Sequence, residues 1–206
     1  MTQGETLAKI GTELPDTVSV RINIELPPEA TIADLENITL PLRPYSIYAN
    51  IHNNLQEAHL SLRELLSHQL SAYIVPVNIK GNVAQSLFGV TQDGKWYRIL
   101  VGYYNTKKSA RKTLHAMMEK LPNYHLEIMK YAYTIECGRF LTKEKGEDLY
   151  KQLSEGEFFP YSQSYLTQNE KVIWRIMVGC FFSSQGAQIL IDQLEEQGYS
   201  CKITKR

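Results

Sequence analysis

The chain has 206 residues, and 22 Lys and Arg are balanced by 22 Asp and Glu, so the formal net charge is zero. Neutrality argues against a uniformly basic nucleic-acid-binding protein, because binding to phosphates requires an excess of Lys and Arg. A hydrophobic fraction of 43% argues against a wholly disordered chain, and the length allows one large domain or two small ones.

Residues 1–44 are predicted to form a mostly extended, proline-containing linker. They hold five of the eight prolines, and three basic against seven acidic residues give them a net charge of −4. Residues 17–26 alternate apolar and polar side chains, as a strand does. A single strand is not stable alone, so this one either pairs with a later strand or belongs to the linker.

Residues 45–131 are predicted to form one domain with the order strand, helix, strand, strand, helix, strand. Alternation or apolar runs predict the strands, and apolar side chains three and four residues apart predict the helices. A polar stretch, residues 80–95, separates the second and third strands and contains the turn dipeptide Asp93-Gly94. The predicted elements are 45–51, 55–70, 72–79, 96–104, 109–120 and 125–131.

Residues 132–206 repeat this order. Their predicted elements are 133–140, 143–156, 159–167, 171–181, 183–197 and 200–204. The third strands align as Tyr-Arg-Ile-Leu-Val-Gly-Tyr-Tyr at 97–104 and Trp-Arg-Ile-Met-Val-Gly-Cys-Phe at 174–181. A helix containing an alanine follows each, so the sequence indicates a duplication.

This order predicts an α+β fold, with two tandem ferredoxin-like domains of βαββαβ topology. Each would be a four-stranded antiparallel sheet with the strand order 4-1-3-2. Two helices would cover one face of each sheet, and the other face would be open.

At these strands the chain resembles, twice in tandem, the SPOR (sporulation-related repeat) family of bacterial peptidoglycan-binding domains. The opening strands 45–52 and 133–140 match its aromatic-x-Val-Gln-Val-Gly-x-Phe pattern, and the third strands match Tyr-Arg-Val-x-Val-Gly-Pro-Phe. The resemblance covers about residues 45–205. The chain departs from the patterns at Asn50, His52, Glu136 and Cys180.

The resemblance implies non-catalytic binding of peptidoglycan glycan strands, chiefly strands stripped of their stem peptides, which occur where cells divide. It implies a periplasmic or cell-envelope location, partners among envelope or division proteins, and no cofactor. No signal peptide begins at Met1 and no membrane segment is predicted, so the residues alone leave open a cytoplasmic protein or a soluble piece of a longer chain. The resemblance implies the second of these. No nucleophile–base pair, phosphate loop or zinc spacing points to an enzyme or a metal site.

A stripped glycan strand carries repeated lactyl carboxylates, so its binding calls for Arg or Lys, polar partners and flat apolar surface. Strand alternation places one set of side chains on the open sheet face. The candidate glycan-binding residues are Ser46, Tyr48, Asn50, Arg98, Leu100, Thr134, Glu136, Arg175 and Met177.

Each candidate also has an ordinary interpretation. Arg98 and Arg175 are ligands for the carboxylates or members of cross-strand ion pairs, for instance Arg175 with Glu136. Tyr48 stacks on a sugar or packs as an ordinary sheet aromatic. Leu100 and Met177 form ligand surface or a contact with a partner or another domain.

Two cysteines are expected to lie side by side. If the last strand pairs antiparallel with the opening strand of the second domain, Cys137 and Cys201 both face the helices. They then form either a disulfide, which suits a periplasmic protein, or two buried thiols.

The net charge differs between the two domains. Residues 45–131 carry ten basic and five acidic residues, net +5, and residues 132–206 carry nine and ten, net −1. The first domain therefore suits an anionic glycan better, although its opening motif is the more altered.

Two other functions remain open. Degenerate SPOR repeats could act as a protein-interaction or scaffold module without glycan binding. RNA recognition motifs share this topology, but the outward positions of the third strands lack the aromatic pair that stacks on bases, so nucleic acid is not expected as a partner.

Overall fold

A computed structural model describes residues 20–27, 29–79 and 93–206, and it divides into two compact units. Residues 43–130 form one unit, here called the first repeat. Residues 131–206 are here called the second repeat. They form the other unit together with the described residues of the N-terminal segment, up to Leu42. The predicted strand at 17–26 and the polar stretch at 80–95 fall partly outside the described residues.

The first repeat contains four strands and two helices in the predicted order. Its elements are β2 (Tyr45–His52), α2 (Leu55–Ser67), β3 (Ala72–Ile79), β4 (Gly94–Tyr104), α3 (Lys107–Lys120) and β5 (Glu127–Lys130). The strands form an antiparallel sheet in the order β3-β4-β2-β5, which is the predicted 4-1-3-2 arrangement. Both helices pack against this sheet.

Local sequence explains where the helices of the first repeat begin. Asn54 and Thr106 precede α2 and α3, and each side chain accepts a hydrogen bond from a backbone N–H in the first turn. Ala58, Leu62 and Leu65 recur at helical spacing, are buried and face the sheet. Pro76 lies in β3, which is an edge strand and so tolerates the loss of an amide donor.

The second repeat has the same arrangement with one addition. Its elements are β6 (Tyr133–Phe140), α4 (Lys143–Glu155), β7 (Pro160–Leu166), β8 (Val172–Phe181), α5 (Gln185–Glu196) and β9 (Lys202–Lys205). The sheet order is β1-β7-β8-β6-β9, where β1 (Val20–Arg21) pairs parallel with β7. The prediction of a purely antiparallel four-stranded sheet is therefore wrong here, because a strand from the N-terminal segment extends the sheet edge.

The helix-facing side of the second sheet forms a compact apolar core. Ile135, Ile176 and Val178 from the two central strands pack with Leu153 of α4 and Leu194 of α5. All five side chains are fully buried. Alternation along β6 and β8 therefore predicts the buried helix-facing side chains correctly.

Residues 20–42 do not behave as the extended linker that the proline content predicts. They include β1 and a short helix, α1 (Ile32–Glu36), whose first turn is closed by a reciprocal capping box between Thr31 and Asp34. The hydrogen bonds of this box lower the pKa of Asp34, chiefly the bond from the Thr31 backbone amide. Apolar side chains of the segment pack against the sheet of the second repeat. The burial of this apolar surface stabilises the packed conformation over an extended one.

Candidate functional site

The side chains predicted to meet a ligand in the first repeat are buried. Arg98 and Tyr48 are each 4% exposed, and Ser46 and Leu100 are fully buried. The ring of His125 meets Tyr48 edge-on, with ring centroids 6.0 Å apart. Only Asn50 is partly accessible, and its side chain accepts a hydrogen bond from the Ile51 amide at 2.9 Å. The expectation of an open face is wrong for the buried four, and their contact with glycan stays a prediction.

Ser46 belongs to a buried polar group that links three strands of the first repeat. Its hydroxyl donates to the carbonyl oxygen of Gly102 at 2.6 Å and lies 2.8 Å from the hydroxyl of Tyr73. Since the serine proton is used on the carbonyl, the tyrosine hydroxyl donates to Ser46. The group ties β2 to both β3 and β4.

The second repeat contains the same group at equivalent positions. The Thr134 hydroxyl donates to the carbonyl oxygen of Gly179 at 2.8 Å. The Tyr161 hydroxyl lies 2.8 Å from the Thr134 hydroxyl. Burial raises the pKa of Tyr161, which keeps the phenol neutral and able to donate. We call this arrangement the hydroxyl–tyrosine–glycine group. It makes Ser46 and Thr134 structural in this conformation.

The glycine of each group is required by geometry. Gly102 and Gly179 both have φ +70°, a conformation that costs other residues about 1 kcal/mol or more. A Cβ on Gly102 would lie 2.4 Å from the ring of Tyr104, and one on Gly179 would lie 2.5 Å from the ring of Phe181. In both repeats, the glycine-x-aromatic pattern therefore corresponds to an aromatic ring that packs over the glycine.

Glu136 and Arg175 form the cross-strand ion pair that was the ordinary interpretation of Arg175. The Arg175 Nε donates to the Glu136 carboxylate, and both residues are 3% exposed. Arg139 adds a bidentate contact to the same carboxylate, with distances of 2.9 and 3.2 Å. The Lys202 ammonium lies 3.8 Å away. A carboxylate already faces Arg175, so an incoming anion would have to displace it.

This cluster controls the protonation of its carboxylate. Burial alone would raise the pKa of Glu136, but the Arg175 and Arg139 guanidiniums outweigh it and hold that pKa below the ordinary value of 4.5. Glu136 therefore stays ionised at neutral pH. In this cluster the Glu136 carboxylate is already paired with two arginines, at a position where the sequence predicted ligand contact.

Residues 22–27 and 29–40 cover the side of the second sheet that faces away from the helices. Leu26, Leu35 and Leu40 pack on Tyr165 and Ile173, all buried. The Arg139 guanidinium donates to the carbonyl oxygens of Leu35 at 2.8 Å and Ile38 at 2.7 Å. Asn169 holds Leu26 through a backbone-like pair of hydrogen bonds. We call residues 22–27 and 29–40 together the covering segment.

Other candidates of the second repeat are likewise enclosed. Met177 and Thr134 are fully buried. Sequence reasoning identified the face on which these side chains lie but missed its cover. The alternation of residues 17–26 left open whether this stretch pairs with a later strand, and the rest of the segment has no helical apolar period longer than one turn. Arg139 reaches this face because the pairing of β6 with β8 shifts register between Glu136 and Gly138, and strand alternation alone does not predict such a shift.

Cys137 and Cys201 form a disulfide that joins β6 to the residue before β9, whose first residue, Lys202, pairs with Glu136. Cys180 is a buried thiol, with its sulfur 3.4 Å from the Tyr161 hydroxyl. Of the two states that the sequence left open for Cys137 and Cys201, the structure has the disulfide.

The described ranges contain no group of three or more His, Cys, Asp or Glu side chains arranged to hold a metal ion. Among these same residues, no helix is long and apolar enough to cross a membrane. Comparisons with family models, curated proteins and solved structures gave no match.

Proposed function

We propose that this chain is a non-catalytic module of the bacterial cell envelope that binds peptide-stripped glycan strands of peptidoglycan through its first repeat. We also propose that both repeats are ferredoxin-like and related to SPOR domains. The matched strand orders and the repeated hydroxyl–tyrosine–glycine group support common descent of the two repeats.

The observation that carries the proposal is the concentration of positive charge in one repeat. Residues 45–131 have a net charge of +5, whereas residues 132–206 have −1. A glycan strand without stem peptides exposes one lactyl carboxylate for each muramic acid and is therefore a polyanion. A basic surface raises the local concentration of such a polymer and speeds its association. The disulfide is consistent with an oxidising compartment.

A second candidate is a protein-interaction module, and the covering segment favours it. In the second repeat, the sheet face opposite the helices holds a peptide of the same chain by apolar packing and by backbone hydrogen bonds to Arg139. The second candidate function is therefore that of an interaction module that holds a peptide on this kind of sheet face.

Co-sedimentation with purified sacculi tests the glycan proposal. The chain should bind amidase-treated sacculi, which lack stem peptides, more strongly than untreated sacculi. Binding should weaken with added salt, because exposed charges are screened. The matched control is amidase-treated material whose carboxylates have been converted to neutral amides, and affinity for it should fall about tenfold or more. Absence of binding to all three materials would reject the proposal and favour an interaction module.

A further inference from the structure

The outer surface of helix α3 carries a cluster of exposed cations. Lys107, Lys108, Arg111 and Lys112 are all exposed. At 100° per residue, these four positions span an arc of about 140° on one side of the helix. We call them the cationic face.

The positions of these cations destabilise the helix. Lys107 and Lys108 occupy the first turn, where the helix dipole disfavours positive charge, and this turn contains no acidic residue. Lys107 with Arg111 and Lys108 with Lys112 are like-charge pairs four residues apart, which destabilise a helix. Within the described part of the chain, none of the four is in an ion pair. Helix formation therefore does not explain this charge.

The equivalent helix of the second repeat shows that the fold does not require the charge either. Helix α5 occupies the same place in the element order and packs against the corresponding strands. It contains no Lys or Arg, and its charged residues are Asp192, Glu195 and Glu196. Two helices with the same structural task thus have opposite charge.

We propose that the cationic face is the glycan-binding surface of this chain and that its cations pair with the lactyl carboxylates. This assignment rests on the proposed function, and it moves the site from the sheet to a helix. Lys108 and Lys112 form one row and Lys107 and Arg111 a second, with about 6 Å between successive cations in a row. Arg111 can bind a carboxylate through two parallel hydrogen bonds. Met118, 58% exposed, offers apolar surface for a sugar ring beside them.

The test uses the whole chain and fluorescent, peptide-stripped glycan strands at low salt. One variant carries Lys108→Gln, Arg111→Gln and Lys112→Gln, since Gln is also a good helix former. The matched control carries Lys143→Gln, Lys145→Gln and Lys151→Gln on α4, and it removes the same number of charges from the second repeat. The first variant should bind at least tenfold more weakly and show a shallower salt dependence, and the control should change less than twofold. Circular dichroism should show both variants folded.

Each other outcome has a distinct meaning. Equal losses in the two triple variants would reject a local site and leave the proposed function standing. Unchanged binding in the α3 variant, with loss in Arg98→Gln, would return the site to the sheet. Failure of the unmodified chain to bind glycan would reject the proposed function and this site with it. Tighter binding of single-stranded RNA or acidic lipid vesicles than of glycan, abolished by the same α3 changes, would reject the glycan as the occupant.

Discussion

The two repeats share a hydroxyl at the start of the opening strand and differ two residues further on. Ser46 and Thr134 make matching hydrogen bonds to a tyrosine and to a glycine carbonyl. At the next position on the same side, the first repeat has Tyr48 and the second has Glu136. Tyr48 contacts an aromatic ring, whereas Glu136 holds two arginines. The two repeats therefore have the same strand geometry, but the side chains on this face differ in their chemistry.

The largest expected effect is that of removing the Glu136 carboxylate, which stands where the first repeat has Tyr48. Glu136→Gln leaves Arg139 and Arg175 without their carboxylate, and losing one partner of a buried ion pair costs about 3 kcal/mol or more. Hydrogen exchange should show this loss in peptides from residues 131–206 and not in those from 43–130. Glu147→Gln, in the half-exposed pair with Lys143, should cost less than about 0.5 kcal/mol.

Acid should reveal the same cluster. Because the pKa of Glu136 is lowered in the folded state, its contribution is present above the ordinary value of 4.5 and is lost as the pH falls through the lowered pKa. The second repeat of the unmodified chain should therefore lose stability below about pH 4.5, and Glu136→Gln should lose this part of the dependence. An unchanged acid profile in the variant would contradict the ion cluster.

The disulfide gives the next largest difference between the repeats. The cysteines of the chain all lie in residues 132–206, and Cys137 and Cys201 are 64 positions apart. Reduction should therefore destabilise the second repeat by about 2 to 4 kcal/mol and leave the first unchanged. Denaturant unfolding followed by hydrogen exchange, with and without reductant, measures this. The Cys137→Ala, Cys201→Ala double variant is the control and should not respond to reductant.

The smallest effects are expected at the buried hydroxyls of the opening strands, one in each repeat. Ser46→Ala and Thr134→Val each remove a buried hydroxyl from the hydroxyl–tyrosine–glycine group. Each should cost about 1 to 2 kcal/mol, because a tyrosine and a carbonyl lose a partner. Denaturant midpoints and regional hydrogen exchange give the two values. A difference above about 1 kcal/mol would show that the two groups are not equivalent, beyond the range expected for one buried hydrogen bond.

The order of strands and helices in both repeats could be predicted from the sequence because it depends on local patterns. Alternation around Ile135 and Ile176 identified the helix-facing sides, and the same alternation paired Arg175 with Glu136. It also placed Cys137 beside Cys201. These predictions require only the period of a strand and the direction of its neighbour.

The cover over the second sheet could not be predicted in this way. Leu26, Leu35 and Leu40 are separated by turns and by a single helical turn, so no period connects them to Tyr165. The buried hydroxyl group was also missed, although a signal existed. Ser46 and Tyr73 are 27 residues apart, and so are Thr134 and Tyr161. An identical spacing of a hydroxyl and a tyrosine in both repeats indicates one conserved contact.

The link between Cys137 and Cys201 also has a mechanical consequence. Strand β9 lies at the sheet edge and is held to β6 by the pairing of residues 202–205 with 133–136. Tension applied to the chain beyond residue 205 would separate these backbone hydrogen bonds one at a time, starting at Lys205. The peeling would stop at Cys201, where the load passes through a covalent bond to the centre of the sheet. In the oxidised state the disulfide therefore limits such peeling to residues 202–205, and in the reduced state this limit is absent.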